Sequence, residues 1–183
     1  LLMITHGCSG SGKTTGTQPV VEKLGAVRVR SDVERKRLFG LSPLEKSESK
    51  VGDNLYSSNA NRQTDHQLQE LATAMIRAGF AVLVDAPFPQ QKSRNPFRQL
   101  ANQLGVPFVI LDFQADDETL KQRVSRREEK GLDASEAGPA VLERQLKTGE
   151  PLSDAEQSSA IVIDTEEKDF SVRLLAKIQK KRT

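Results

Sequence analysis

The stretch "GCSGSGKTT", residues 7–15, follows directly on the apolar run "LLMI" of residues 1–4. Gly7, Gly12, Lys13 and Thr14 fit G-x-x-x-x-G-K-[ST], the spacing of a phosphate-binding loop. Glycine tolerates positive φ and lets backbone N–H groups crowd around an anion. A helix beginning near Gly12 adds unpaired N–H groups and the positive end of its dipole. Lys13 can then reach the β and γ phosphates of a nucleotide, and the Thr14 hydroxyl can hold Mg²⁺. Nucleotide contacts are accordingly expected from Gly7, Ser9, Gly10, Ser11, Gly12, Lys13, Thr14 and Thr15. A plain Gly/Ser turn would not need to sit between an apolar strand and a helical stretch, which is where this one lies.

Working outward, strands and helices alternate. An expected strand at 1–5 leads into the loop and a helix to about Leu24. Pro19 lies inside that helix and predicts a kink or an irregular turn. "AVRVR" alternates as a strand to Arg30, and "DVERKRLFG" reads as a short helix stopped by Gly40. Residues 41–55 read as a polar loop. A long helix over about 58–78 carries an apolar stripe of Leu68, Leu71, Ala72, Met75 and Ile76.

"FAVLVD" predicts a buried strand ending at Asp85. "PFPQQKSRNP" reads as a stiff loop ahead of a helix to about Leu104. The strand "PFVILDF", the charged helix "DDETLKQRVSRREEK", the loop "GLDASEAGP", the helix "AVLERQLKT", the strand "AIVID" and the helix "DFSVRLLAKIQK" complete the order. Near-continuous apolar strands alternating with helices imply an α/β fold, a five-stranded parallel sheet covered on both faces. Ligands bind such sheets beyond the carboxyl ends of the strands. One site is therefore expected from residues 7–14, Asp32, Asp85 and the segments after Phe113 and Asp164.

Three groups at those strand ends carry chemistry. Asp32 follows the second strand and could orient an acceptor hydroxyl and take its proton. Arg35, one helical turn on, could hold an anionic acceptor group beside it; the plainer alternative is an N-cap aspartate with a surface ion pair. Asp85 could support Mg²⁺ or contact the acceptor, or simply begin the turn before Pro87. Arg123, Arg126 and Arg127 make one helix guanidinium-rich, within an expected lid over about 123–140. Arg126 and Arg123 are the leading candidates to neutralise charge on a transferring phosphoryl group, salt bridging to Glu128 and Glu129 being the alternative.

Composition excludes more than it selects. The 183 residues suit one domain, and the net charge of +2 does not call for a nucleic acid. Aromatic residues make up 4% and Trp is absent, so base-stacking platforms are poorly supplied. With two histidines and one cysteine, zinc and internal disulfides are not expected, and a reducing, cytoplasmic compartment is. Nothing predicts a leader or a membrane span. The chain opens at Leu1 inside its first strand, which reads as a domain of a longer protein. Cys8, within the loop, has two readings: a reactive thiolate facing the anion nest, or an inert side chain turned to the core.

The segments "GCSGSGKTT", "RSDVERKRLFG", "VLVDAPF", "DDETLKQRVSRREEKGLDASEAGPAVLERQL" and "IVIDT" together resemble the P-loop kinases of the zeta-toxin and polynucleotide-kinase-like type. Within these they are most similar to the kinase domain often joined, in bacteria, to an aminoglycoside-phosphotransferase-like domain. The resemblance implies a three-layer P-loop NTPase fold with strand order 2-3-1-4-5, Mg²⁺ and ATP, and an arginine-bearing lid. It implies that Lys13 and Thr14 bind ATP and Mg²⁺, that Asp32 activates the acceptor, that Arg35 holds an acceptor phosphate, and that Arg126 belongs to the lid cluster. It also places Asp164 and Thr165 near the adenine. The expected reaction is phosphoryl transfer from ATP to a hydroxyl of a small molecule. A 5′-hydroxyl polynucleotide kinase and an ATP-binding regulatory module without transfer are the alternatives. An AAA-type motor is not expected, because 183 residues leave no room for its second, helical domain.

Overall fold

The computed structural model describes residues 1–45, 55, 57–130, 134–167 and 170–182. Five strands, β1 (Leu2–His6), β2 (Val27–Arg30), β3 (Val82–Asp85), β4 (Phe108–Gln114) and β5 (Ala160–Asp164), pair in the order β2-β3-β1-β4-β5. Every pairing is parallel. The expected P-loop NTPase fold, with its five-stranded parallel sheet in the order 2-3-1-4-5, is the observed one.

Alternation along the strands divides the core between two faces. Leu2 and Ile4 of β1 join Val82, Val84 and Ile110 on one face, under α4 (Ser58–Arg77) and α5 (Gln91–Gln103). Met3 joins Leu83, Val109, Leu111 and Phe113 on the other, under α2 (Gln18–Leu24) and α9 (Phe170–Arg182). A smaller cluster of Leu120, Val124 and Leu142 packs α6 (Asp117–Lys130) on α7 (Pro139–Thr148), beside Cys8. Among the described residues no helix is long and apolar enough to cross a membrane.

The helix after the loop is broken as Pro19 predicts. A short α1 (Lys13–Gly16) gives way at Thr17 to α2, with Pro19 in the first turn of the second piece. Proline has no N–H to donate to the carbonyl four residues back, so the ladder cannot continue through it. At the break, the Thr14 carbonyl accepts from Arg28 at 2.8 Å and from the Thr17 hydroxyl at 3.2 Å.

One sequence expectation is corrected and one unexpected element is added. The stretch 87–96 is not all loop: α5 begins at Gln91 and carries Pro96 inside it. The helix is held from the side, because Phe97 is fully buried and Arg94 is 1% exposed. A four-residue helix, α8 (Asp154–Gln157), also precedes β5, closed by a capping box between Ser153 and Glu156. Its signature, Ser-x-x-Glu at 153–156, was available in the sequence. The loop expected over 41–55, and the one following α6, fall largely or partly outside the described residues.

Candidate active site

The phosphate loop joins β1 to α1 and is shaped by close backbone approaches. Gly7 has φ 129, and a Cβ there would run into the carbonyl oxygen of Phe113. Gly10 has φ 87 and leaves the same small space against the carbonyl of Leu120 on α6. A side chain at either position would push the loop off the sheet or off the lid helix. From opposite sides, the Ser9 N–H donates to the Gln145 side chain at 2.7 Å, and the Ser11 N–H donates to the Cys8 carbonyl at 3.1 Å.

Lys13 folds back over this loop. Its ammonium donates to the carbonyls of Gly7 at 2.8 Å and Cys8 at 2.7 Å, and reaches Ser11 Oγ at 3.5 Å. Burial lowers the Lys13 pKa to about 8; Asp85, Cys8 and Asp32 pull it upward, and Arg127 pushes it down. All these groups therefore share one electrostatic neighbourhood.

The Thr14 hydroxyl donates to Asp85 Oδ2 at 2.7 Å. Asp85 is 5% exposed, and Arg30 Nε lies 3.9 Å from the same carboxylate oxygen. Register explains the meeting: Arg30 and Asp85 are paired at the ends of β2 and β3. The end of β3 is fixed to β1 by Thr5, whose hydroxyl donates to the Ala86 carbonyl at 2.7 Å and accepts from the Ala86 N–H at 2.9 Å.

A cleft of about 260 Å³ opens over these groups. Ser9, Gly10, Gly12, Lys13, Thr14 and Thr15 form its floor. Arg30, Ser31 and Asp32 form one wall, Asp85, Ala86 and Pro87 a second, and Arg123, Arg127 and Ser135 a third. The strand-end rule thus brings Lys13, Thr14, Asp32, Asp85 and Arg123 together.

The other expected residues are placed as follows. Asp32 is not an N-cap, because α3 (Ser31–Leu38) is capped by Arg30. Its carboxylate lies 3.3 Å from Arg35, which also donates to Asn61 of α4 at 3.0 Å. Behind them Asp65 is raised to about 6 by burial, with the Arg35 charge opposing. Arg123 donates to the Thr165 hydroxyl at 2.9 Å and approaches the Gly10 carbonyl at 3.4 Å, so Thr165 sits beside the loop. Asp164 points outward, accepting from the Glu166 N–H at 2.9 Å, and does not line the cleft.

Arg126 is exposed and away from the cleft, and Arg127 takes the place expected of it. At 3.6 residues per turn Arg126 projects about 160° from the buried Val124, whereas Arg127 and Arg123 flank the face turned inward. The Cys8 thiol packs beside Leu120, Val124 and Leu142; burial pushes its pKa up, Lys13 opposing and Asp117 adding to the rise. Half-burial and the raised pKa favour the packing reading over the reactive thiolate. Sequence reasoning missed Arg30, Ser31, Asn61, Asp65 and Ser135. Arg30 had a signal, since it ends the alternating "VRVR" at the carboxyl end of a strand.

Mg²⁺ fits the residues present. The Thr14 hydroxyl and the Asp85 carboxylate meet as two hard oxygen donors at the mouth of the loop, the partial set that Mg²⁺ completes with phosphate oxygens and water. No group of three or more potential metal-ligating His, Cys, Asp or Glu side chains occurs among the described residues.

Solved structures share the fold. A sugar kinase from a Janibacter species has a TM-score of 0.69 at 20% identity, over 98% of this chain and 92% of that one. Kti12 from Chaetomium thermophilum, in complex with ADP-AlF3, has a TM-score of 0.76 at 13% identity, over all of both chains. Shikimate kinase from Acinetobacter baumannii, in complex with shikimate, has a TM-score of 0.60 at 20% identity, over 98% and 93%. No curated protein matches the sequence. The family model described as "AAA domain" matches residues 2–152, and the chain belongs to this family.

Proposed function

We propose that the chain is an ATP-dependent kinase that transfers the γ-phosphoryl group to a hydroxyl of a small molecule. One observation carries this reading: the cleft sets a carboxylate, Asp32, across from Lys13 and Thr14, with Arg123 and Arg127 between lid and loop. A carboxylate at that place can orient a hydroxyl nucleophile, of an acceptor or of water, against the terminal phosphate, and the fate of the label from γ-labelled ATP separates the two.

In this reading the N–H groups of Gly10, Gly12, Lys13 and Thr14 and the Lys13 ammonium hold the phosphates. Lys13 exchanges its two carbonyl acceptors for phosphate oxygens. Thr14 and Asp85 would hold Mg²⁺, which supplies charge neutralisation between the terminal phosphates. Asp32 accepts the proton of the acceptor hydroxyl, while Arg35 and Asn61 fix the orientation of the helix that carries it. Arg123 and Arg127 stabilise charge on the transferring group and exclude water. Thr165, tied to Arg123, borders the base side of the nucleotide.

The similar folds of a sugar kinase and of shikimate kinase support a small-molecule acceptor. The segment 30–40 favours the zeta-toxin and polynucleotide-kinase-like type within this reading, and the fusion to an aminoglycoside-phosphotransferase-like domain belongs to the same proposal. A metabolite pool incubated with the protein and γ-labelled ATP tests it. Label in a new phosphate ester supports the reading and names the acceptor. Label released only as inorganic phosphate sinks it in favour of an ATP-binding regulatory module without transfer. A steep log-log salt dependence of oligonucleotide binding would instead favour the polynucleotide acceptor.

A further inference from the structure

Among the described residues Lys36 is one of the two largest fully buried charged side chains, at 2% exposure, and no part of the proposed chemistry uses it. It lies on α3, one turn beyond Asp32. Its ammonium donates to three oxygens: the Pro43 carbonyl at 3.2 Å, the Glu45 carbonyl at 2.6 Å and Glu136 Oε1 at 2.8 Å. An ammonium has three N–H donors, so these partners satisfy it in full. The two carbonyls belong to the chain leaving α3. Glu136 belongs to a different structure, the arm that leads into α7 on the lid side of the cleft.

Both neighbours of Glu136 on that arm connect to the site. Ser135 lines the cleft, and the Ala137 carbonyl accepts from Arg127 at 2.6 Å. A continuous polar path therefore runs from the helix carrying Asp32, through Lys36 and Glu136, along two residues of backbone, to the guanidinium of Arg127. Such a pair is a poor choice for stability alone, because desolvating two charges costs about as much as their attraction returns. It does fix geometry, since a buried charge allows only the arrangement that satisfies it.

We propose that Lys36 and Glu136 are a positioning pair, tying the acceptor-side helix to the lid arm so that Arg127 is held over the phosphates only while that helix is in place. Neither residue touches substrate. The proposal rests on the kinase reading for its consequence in turnover, and on geometry alone for the tie itself.

Two readouts keep those apart. Glu136→Ala removes the carboxylate from a partly exposed position; Lys36→Met removes the buried ammonium. The first readout is limited trypsin digestion without nucleotide, followed at Arg126 and Arg127. If the tie holds the arm, Glu136→Ala is cut there about tenfold faster or more while the rest of the chain resists. The second is ADP release from Mg-ATP. Here kcat falls about tenfold or more while the dissociation constant for Mg-ATP stays within about twofold, because a displaced arginine costs rate and not ground-state binding. The double variant is no worse than the worse single one, since one tie is lost in each. Unchanged cleavage and unchanged kcat in Glu136→Ala would overturn the proposal, and so would additive losses in the double variant. A wild-type protein that binds no ATP would remove the kinase reading, yet the trypsin comparison would still decide whether the tie exists.

Discussion

The Thr14 hydroxyl and the Asp85 carboxylate, 71 residues apart, meet at 2.7 Å across the mouth of the phosphate loop. The meeting is built by the sheet: β3 lies beside β1, and Thr5 fastens the end of one to the end of the other. The sequence leaves Asp85 open to a metal or an acceptor role; its contact with the loop threonine supports the proposed metal role.

Asp85→Asn is therefore expected to weaken the Mg-dependent part of ATP binding about tenfold or more, while binding of ATP without Mg²⁺ changes little. The amide still accepts from Thr14 but no longer supplies a negative charge. Titration calorimetry with and without Mg²⁺ measures both. Equal loss in the two titrations would return Asp85 to a structural role.

Lys13 gives a pH dependence whose sign is fixed by burial. Its pKa is lowered from 10.5 to about 8 in the free protein. Between about pH 8 and 10.5 the unfolded chain holds a proton that the folded one has released, so this residue makes stability rise with pH across that window. Phosphates at Nζ favour the charged form and reverse the shift. Above about pH 8, nucleotide binding should take up close to one proton and weaken as pH rises. Calorimetry in two buffers of different ionisation enthalpy reads the uptake directly. Uptake at pH 9 that persists in Lys13→Met would assign it elsewhere.

The three arginines of α6 separate by position, Arg123 and Arg127 lining the cleft and Arg126 not. Arg127→Ala and Arg123→Ala should each lower kcat by about 10²-fold, the usual cost of losing a donor aimed at developing charge. Arg126→Ala should leave kcat within about twofold, because its side chain stands in solvent on the far side of α6. Steady-state kinetics of ADP release decides; an Arg126→Ala variant as impaired as Arg127→Ala would mean that the helix turns on binding.

The contrast shows where sequence reading ends. The strand order was implied by the family resemblance; the loop spacing, the parallel strands and the strand-end Asp32 and Asp85 were legible because each depends on local pattern or on a rule of parallel sheets. Arg126 against Arg127 was not, since both lie within four residues of Arg123 and only the burial of Val124 orients the helix. Cys8 likewise needed α6 and α7 in place before its thiol had a direction. Arg30 could have been found from its place at a strand end. Arg94 could not: its partner is 62 residues away, on a helix of four residues.

That last pair supplies the prediction for stability. Arg94 and Glu156 are 1% and 2% exposed at the side chain, with Arg94 Nε donating to Glu156 Oε1 at 2.6 Å and Nη2 to Oε2 at 3.0 Å. Arg94 also donates to the carbonyls of Phe88, Glu150 and Pro151, so it gathers the chain after β3 and the chain before α8 around one guanidinium. Phe88 is the one non-glycine residue with positive φ among those described, at 45, and its ring stacks edge-on against Phe97 at 4.9 Å. The strained turn that follows Asp85 is thus pinned by Arg94 from below. Burial alone would raise the Glu156 carboxyl, but hydrogen bonds from Arg94 and Ser153 outweigh it and lower the pKa from 4.5 to about 2. Its contribution to stability is present above about pH 4.5 and lost as pH falls towards 2. Arg94→Met leaves a buried carboxylate unpaired and should cost about 3–5 kcal/mol at neutral pH. For a chain of this size that lowers Tm by about 10 °C. Because the unpaired Glu156 can then take up a proton, the penalty should shrink between pH 7 and 4. Thermal melts of the wild type and Arg94→Met at those two pH values test it. A penalty that stays constant with pH would show that the loss comes from the three carbonyls and not from the ion pair.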